Sequence, residues 1–156
     1  MAKEQLIKKK IIMLVEDDEL DVISVRRSLK RLDMPHELYT AFNGVEALQL
    51  LRGGDSERPP LESLPDILLL DLNMPKMNGL EFLSILRGDQ RLKEIRVYIM
   101  TTSSEQTDRS ATDQLGVSGY LIKPMGYGGG YNKIDSMEHF MQFHLRSILT
   151  DKPDRR

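Results

Sequence analysis

The chain reads as an α/β domain, a parallel sheet covered by helices on both faces. Three observations predict this. Short aliphatic runs alternate five times with segments of helical periodicity along the 156 residues. The clearest run, Ile67-Leu68-Leu69-Leu70, shows no polar alternation, as expected of a strand buried on both sides. Acids close two of the runs: Glu16 and Asp17 follow Ile11-Ile12-Met13-Leu14-Val15, and Asp71 follows Leu70. That places them at the carboxyl edge of the sheet, where open α/β folds bind ligands.

The elements follow in order. Strands are expected at Lys10 to Val15, Glu37 to Thr40, Asp66 to Leu70, Arg96 to Met100 and Gly119 to Ile122, the second having the weakest pattern. Val22, Val25, Leu29 and Leu32 recur at spacings of three and four and mark the first helix. Asp18 stands before it as an N-cap or first-turn acid. Val45, Leu48 and Leu51 mark the second helix, after the turn signal Asn43-Gly44. Leu80, Leu83 and Leu86 mark the third, starting near Asn78. A polar fourth helix is expected from Glu105 to Leu115, with Gly116 capping its end. The last carries one stripe, Ile134, Met137, Met141, Leu145 and Ile148, with Phe140 beside it.

These elements define one domain, residues 10–149, preceded by an extension at 1–9 and followed by a polar tail at 150–156. A chain of this length buries roughly two-thirds of its unfolded surface and folds without staples. Two connections stand out. Gly53 to Pro65 carries three prolines and several charges and reads as an exposed loop, a tolerated insertion more than a partner site. The glycine-rich run from Gly126 to Gly130 lacks the P-loop spacing and reads as a linker.

Composition narrows the function. Lys+Arg 22 against Asp+Glu 24 gives a net charge of -2, which argues against a nucleic-acid binder. The chain has no cysteine, so disulfides, thiolate metal sites and a Cys nucleophile are excluded. The first residues do not form a signal peptide, and no apolar run is long enough to span a membrane. A cytoplasmic location is the expectation.

Glu16, Asp17 and Asp71 should converge, because adjacent parallel strands lie about 4.8 Å apart. Unpaired, they would repel and raise one another's pKa. A hard divalent cation, magnesium above all, relieves this and also accepts a phosphate oxygen. Lys123, which follows the fifth strand, can pair with Asp71 and then hold a phosphoryl oxygen. Thr101 ends the fourth strand, where its hydroxyl can donate to a phosphate; Ser103 or Ser104 can cap the next helix. The histidines His36, His139 and His144 lack metal spacing and read as structural.

Together these residues resemble the receiver domain of two-component response regulators. The matching pieces are Leu14-Val15-Glu16-Asp17-Asp18, Leu70-Asp71-Leu72-Asn73-Met74-Pro75 with Gly79, Thr101, and Gly119-Tyr120-Leu121-Ile122-Lys123-Pro124. The resemblance covers Lys10 to Leu149 and implies the flavodoxin-like sheet, strand order 2-1-3-4-5. Carried over by position, Asp71 resembles the phosphoacceptor and Asp17 the direct magnesium ligand. Glu16 resembles the acid that completes the metal site, and Asn73 would give a backbone carbonyl to the metal. Thr101 and Lys123 would bind the phosphoryl oxygens. Tyr120 resembles the aromatic switch that turns inward on activation, or is simply an amphipathic tyrosine at a sheet edge.

The chain departs from that family at Thr102, a position more often small, in the glycine run, and in the long Gly53 to Pro65 loop. Long loops there resemble the stand-alone receivers that partner phytochrome-type kinases. The resemblance implies transfer from a sensor histidine kinase or a phosphotransfer protein onto Asp71, with output by contact with a downstream protein. Phosphorelay intermediate and phosphorylation-independent binding module are the alternatives. The only catalysis expected is the domain's own phosphorylation and dephosphorylation. A phosphatase with an aspartyl nucleophile needs a second acid two places on, where Asn73 stands and cannot act as a general acid. A flavodoxin proper would meet repulsion between three acids and a flavin phosphate. Dimerisation through the Phe140 and Phe143 edge of the last helix is left open.

Overall fold

A computed structural model describes residues 9–53, 61, 63–74, 76–102, 109–123 and 133–150, with backbone alone at 102 and 133–141. The extension before Lys9, the Ser103 and Ser104 caps, most of the long loop, Pro75, Pro124, the glycine run and the tail beyond Thr150 lie outside the described residues. So do the side chains of Thr102, Ile134, Met137, Phe140 and Met141.

The order is β1 (Lys10–Val15), α1 (Glu19–Arg31), β2 (His36–Ala41), α2 (Gly44–Arg52), β3 (Ile67–Asp71), α3 (Gly79–Gly88), β4 (Arg96–Thr102), α4 (Arg109–Gln114), β5 (Gly119–Lys123) and α5 (Lys133–Thr150). The five strands form one sheet in the order β2-β1-β3-β4-β5, every pairing parallel. The expected alternation and strand order are both present.

The unbroken aliphatic strands serve two cores. Met13, Val15, Leu68, Leu70, Val97 and Ile99 point to one face and meet Leu48, Leu51, Phe82, Leu83 and Leu86 of α2 and α3. Ile12, Leu14, Ile67, Leu69 and Met100 point to the other and meet Val25 and Leu29 of α1 with Leu145, Ile148 and Leu149 of α5. Each strand therefore divides its side chains by the two-residue period, and neither face stays wet.

Helix starts follow local chemistry. Asp18 caps α1 by accepting from Leu20 N at 2.9 Å and Asp21 N at 3.4 Å. Asn43 and Asn78 cap α2 and α3, each taking the amide three residues on at 2.9 Å. Gly116, at φ +70°, follows the end of α4 and donates its amide to Asp113 O. Arg87 of α3 ties the far edge together: its guanidinium donates to the carbonyls of Leu115 at 2.6 Å, Lys93 and Ile95 at 2.8 Å, and Gly116 at 3.2 Å.

Several details differ from the sequence-based expectations. β2 runs one residue further at each end, so that His36 is its first residue, its Nδ1 2.7 Å from Met34 O. Asp71 is the last residue of β3, not the first of the loop. Val45 is exposed, because it lies about 200° around α2 from Ala47, and the buried face is Ala47, Leu48, Leu50 and Leu51. Helix α4 is described only from Arg109. Thr150 belongs to α5, not to the tail, and its hydroxyl donates back to Arg146 O at 2.7 Å. No helix among the described residues is long and apolar enough to cross a membrane.

Candidate functional site

The crossover between β1 and β3 sends α1 to one face and α2 and α3 to the other, leaving a crevice at their carboxyl ends. Val15 pairs with Leu70, so Glu16 leaves β1 level with Asp71. Glu16 N donates to Ala41 O at 2.9 Å, which fixes the first acid before the chain turns outward at Asp17. Glu16 and Asp71 are buried and Asp17 is exposed at the mouth.

One carboxylate oxygen from each of Glu16, Asp17 and Asp71 lies within 4.8 Å of the other two. Glu16 Oε2 is buried with no hydrogen-bond partner among the described residues. A hard cation with metal–oxygen distances of about 2.0–2.6 Å spans oxygen pairs of this separation. The donor set therefore fits a divalent cation, and the orphaned oxygen is the atom such an ion would satisfy.

Asp71 is further held by the loop behind it. Asn73 N donates to Asp71 Oδ1 at 3.1 Å. Gly79 N donates to Leu72 O at 2.9 Å, and a Cβ on Gly79 would stand 2.6 Å from Asp71 O and from Leu72 Cα. Only glycine lets the start of α3 approach β3 so closely. Lys76, in the same loop, adopts φ +66°, a left-handed conformation uncommon for a non-glycine residue.

Lys123 reaches the cluster from β5 and is itself buried. The expected pairing with Asp71 is present as a long ion pair, and two closer partners join it. Lys123 Nζ donates to Glu16 Oε1 and, at 2.8 Å, to Asp21 Oδ2, while Asp71 Oδ2 is 4.0 Å away. Asp71 offers one long contact, whereas the two buried acids around Lys123 offer hydrogen bonds. Burial, together with the adjoining Asp71 and Asp21 carboxyls, pushes the Glu16 carboxyl up to about 11 against the pull of Lys123. Asp17 is also raised, by desolvation and by the charge of Asp71. For Lys123, burial favours the neutral amine, but Glu16, Asp71 and Asp21 together outweigh it and raise the pKa.

Asp21 is a site residue that sequence reasoning missed. It heads a stripe with Val25, Ser28 and Leu32, at spacings of four, three and four, so an acid on a buried face was the available signal.

Thr101 is buried at the same rim, one residue past Met100, the register partner of Asp71. Tyr120, the register partner of Ile99, belongs to another network. Its hydroxyl donates to Asp113 Oδ1 at 2.7 Å and hydrogen-bonds Thr112 Oγ1, and the Arg109 guanidinium carbon lies 4.5 Å from the ring centroid. Helix α4 thus grips this tyrosine. Glu16, Asp17, Asp71 and Lys123 come together as expected; the Tyr120 hydroxyl bonds to α4 while its ring packs against the core shared with α2 and α3.

Three converging carboxylates and a buried lysine at one rim of a doubly wound sheet define an α/β protein with a site suited to a divalent cation. Comparison with known proteins narrows it. Residues 12–135 match the family model of the response regulator receiver domain. The response regulator Rcp1 of Synechocystis sp. (strain ATCC 27184 / PCC 6803 / Kazusa) is 35% identical over 132 residues, 84% of this chain and 88% of that protein. Among solved structures, the phosphorylated cyanobacterial phytochrome response regulator RcpA superposes with a TM-score of 0.77 at 30% identity, covering 92% of this chain and 96% of that one. The Mn(2+)-bound form of Rcp1 gives 0.73 at 30%, covering 94% and 99%. The chain belongs to the response regulator receiver family of two-component signalling.

Proposed function

We propose that Asp71 accepts a phosphoryl group from a sensor histidine kinase or a phosphotransfer protein, with Mg²⁺ held by Glu16, Asp17, Asp71 and the backbone carbonyl of Asn73. The observation that carries this is the convergence of three carboxylate oxygens within 4.8 Å beside a buried lysine. The cation, when bound, screens the acids and draws charge from the phosphoryl oxygens. Asp71 attacks phosphorus in line; a P–O bond forms, the P–N bond to the donor imidazole breaks, and its electrons stay on nitrogen. Catalysis is then mostly positioning and electrostatics.

Thr101 and Lys123 bind the phosphoryl oxygens. Moving a two-state switch from mostly off to mostly on takes about 5.5 kcal/mol, while one charged hydrogen bond contributes about 1.5–3 kcal/mol. Both groups must therefore favour the phosphorylated form, with packing of Tyr120 adding to them. Tyr120 turns inward as the reporter of that state. The phosphorylated surface acts by contact with a downstream protein. The relatives described as phytochrome response regulators make a phytochrome-class kinase the favoured partner. The receiver unit spans 10–149 with the last residue of α5 added.

Acetyl phosphate with Mg²⁺ should leave an acid-stable, base-labile label that chelator prevents and Asp71→Asn removes. A wild-type protein without label, binding partners equally well in both states, would instead be a phosphorylation-independent module.

A further inference from the structure

We propose that Asp21 is a positioning residue for Lys123, a second anchor that aims the ammonium at the phosphoryl group. The inference rests on the reading of Asp71 as phosphoacceptor.

A lysine ammonium carries three N–H donors. Here one goes to Glu16 Oε1 and one to Asp21 Oδ2 at 2.8 Å. The third is left for the side of Asp71, whose Oδ2 at 4.0 Å is too far for a hydrogen bond. A phosphoryl group on Asp71 projects beyond that carboxylate and brings its own oxygens toward this donor. Two fixed bonds thus orient the remaining one.

Glu16 alone is a poor anchor, because its carboxylate also belongs to the cation cluster. Asp21 lies outside the cluster of possible metal ligands found among the described residues. Its hold on Lys123 therefore does not depend on how Glu16 divides itself between the cation and the lysine. Asp21 is also well placed to stay fixed. It is 2% exposed, sits in the first turn of α1 where the helix dipole favours a negative charge, and receives its cap from Asp18. That turn leads into the stripe of α1 facing Leu145 and Ile148 of α5, so the anchor is built on packed structure.

The test measures the rate constant for phosphorylation by acetyl phosphate in Mg²⁺. It compares wild type, Asp21→Ala and Asp21→Asn, each with Lys123 intact or changed to Met. Loss of one charged hydrogen bond predicts a slowing of roughly ten- to hundredfold for Asp21→Ala. Asp21→Asn, which keeps an acceptor oxygen, should recover most of that rate and fold like wild type. With Lys123→Met present, Asp21→Ala should add nothing. Equal slowing in both backgrounds makes Asp21 a structural residue and overturns the proposal, as does an unchanged rate in Asp21→Ala. A second readout needs no transfer. The ¹⁵N signal of the Lys123 ammonium should be protected from exchange in wild type and lose protection in Asp21→Ala; equal protection refutes the anchor. An unlabelled wild type with normal Lys123 protection would instead overturn the assignment of Asp71.

Discussion

Glu16→Gln tests the electrostatics of the rim without altering its shape. The Glu16 carboxyl is raised from 4.5 to about 11, first by burial and then by the Asp71 and Asp21 carboxyls. A carboxyl raised on folding keeps a proton that the unfolded chain has released. Between these two values the native state binds more protons, and stability falls as pH rises. With chelator present, the loss approaches about 1.4 kcal/mol per pH unit. From about pH 6 to about pH 8 the wild-type protein should lose on the order of 2–3 kcal/mol, a large part of a typical domain's about 5–15 kcal/mol. Lys123 is raised as well, but its stabilisation is lost only in strongly alkaline solution, outside this window. Gln keeps an oxygen for the Lys123 ammonium and removes the titrating proton. Urea unfolding of both proteins at several pH values isolates the carboxyl as the difference between two slopes. The slope should vanish, or nearly so, in Glu16→Gln. Parallel slopes would mean that Glu16 is ionised throughout as a plain ion pair with Lys123, and the reasoning fails.

Other perturbations probe the supports of the site. Gly79→Ala puts a methyl 2.6 Å from Asp71 O and should cost about 1–3 kcal/mol in urea unfolding, with weaker cation binding by calorimetry. Asp18→Ala removes the cap of α1 and should cost about 1 kcal/mol, read as a lower melting temperature. Arg87→Met removes hydrogen bonds to four backbone carbonyls at the opposite edge, those of Leu115 and Ile95 part-buried. It should cost about 3 kcal/mol while leaving cation affinity unchanged, which separates stability from function. Asp113→Ala loosens the grip of α4 on the Tyr120 hydroxyl by about 1 kcal/mol, and beryllofluoride should then bind severalfold more tightly. Unchanged affinity would argue that the outward hold on Tyr120 does not oppose activation.

Much of this fold is legible because its signals are local. The four residues from Ile67 to Leu70 are enough to declare a strand buried on both faces, and the caps at Asp18, Asn43 and Asn78 mark helix starts. Errors arise where periodicity meets a boundary. Val45 sits in the first turn of α2, where a hydrophobic residue can continue a pattern without sharing its face. The rim acids are legible for a different reason. An acid directly after an aliphatic run is placed by the strand itself, and parallel pairing puts two such acids level.

Lys123 shows where that logic stops. The strand puts it at the right edge, but its partners are set by separations of 107 residues to Glu16 and 102 to Asp21, distances along the chain at which no local pattern operates. From the sequence, the lysine falls to Asp71, the acid with the most conspicuous strand. The lysine's closer partners come from Glu16 after β1 and from α1, whose first turn carries Asp21 into the crevice. A buried cation takes the acceptors that satisfy its donors at hydrogen-bond distance, and Asp71 at 4.0 Å is not among them. That preference leaves the Asp71 carboxylate bonded through Asn73 N yet only loosely paired with the lysine. The phosphoacceptor role proposed for Asp71 suits this condition, since a carboxylate held by several short hydrogen bonds from the lysine would have to give some of them up before attacking phosphorus.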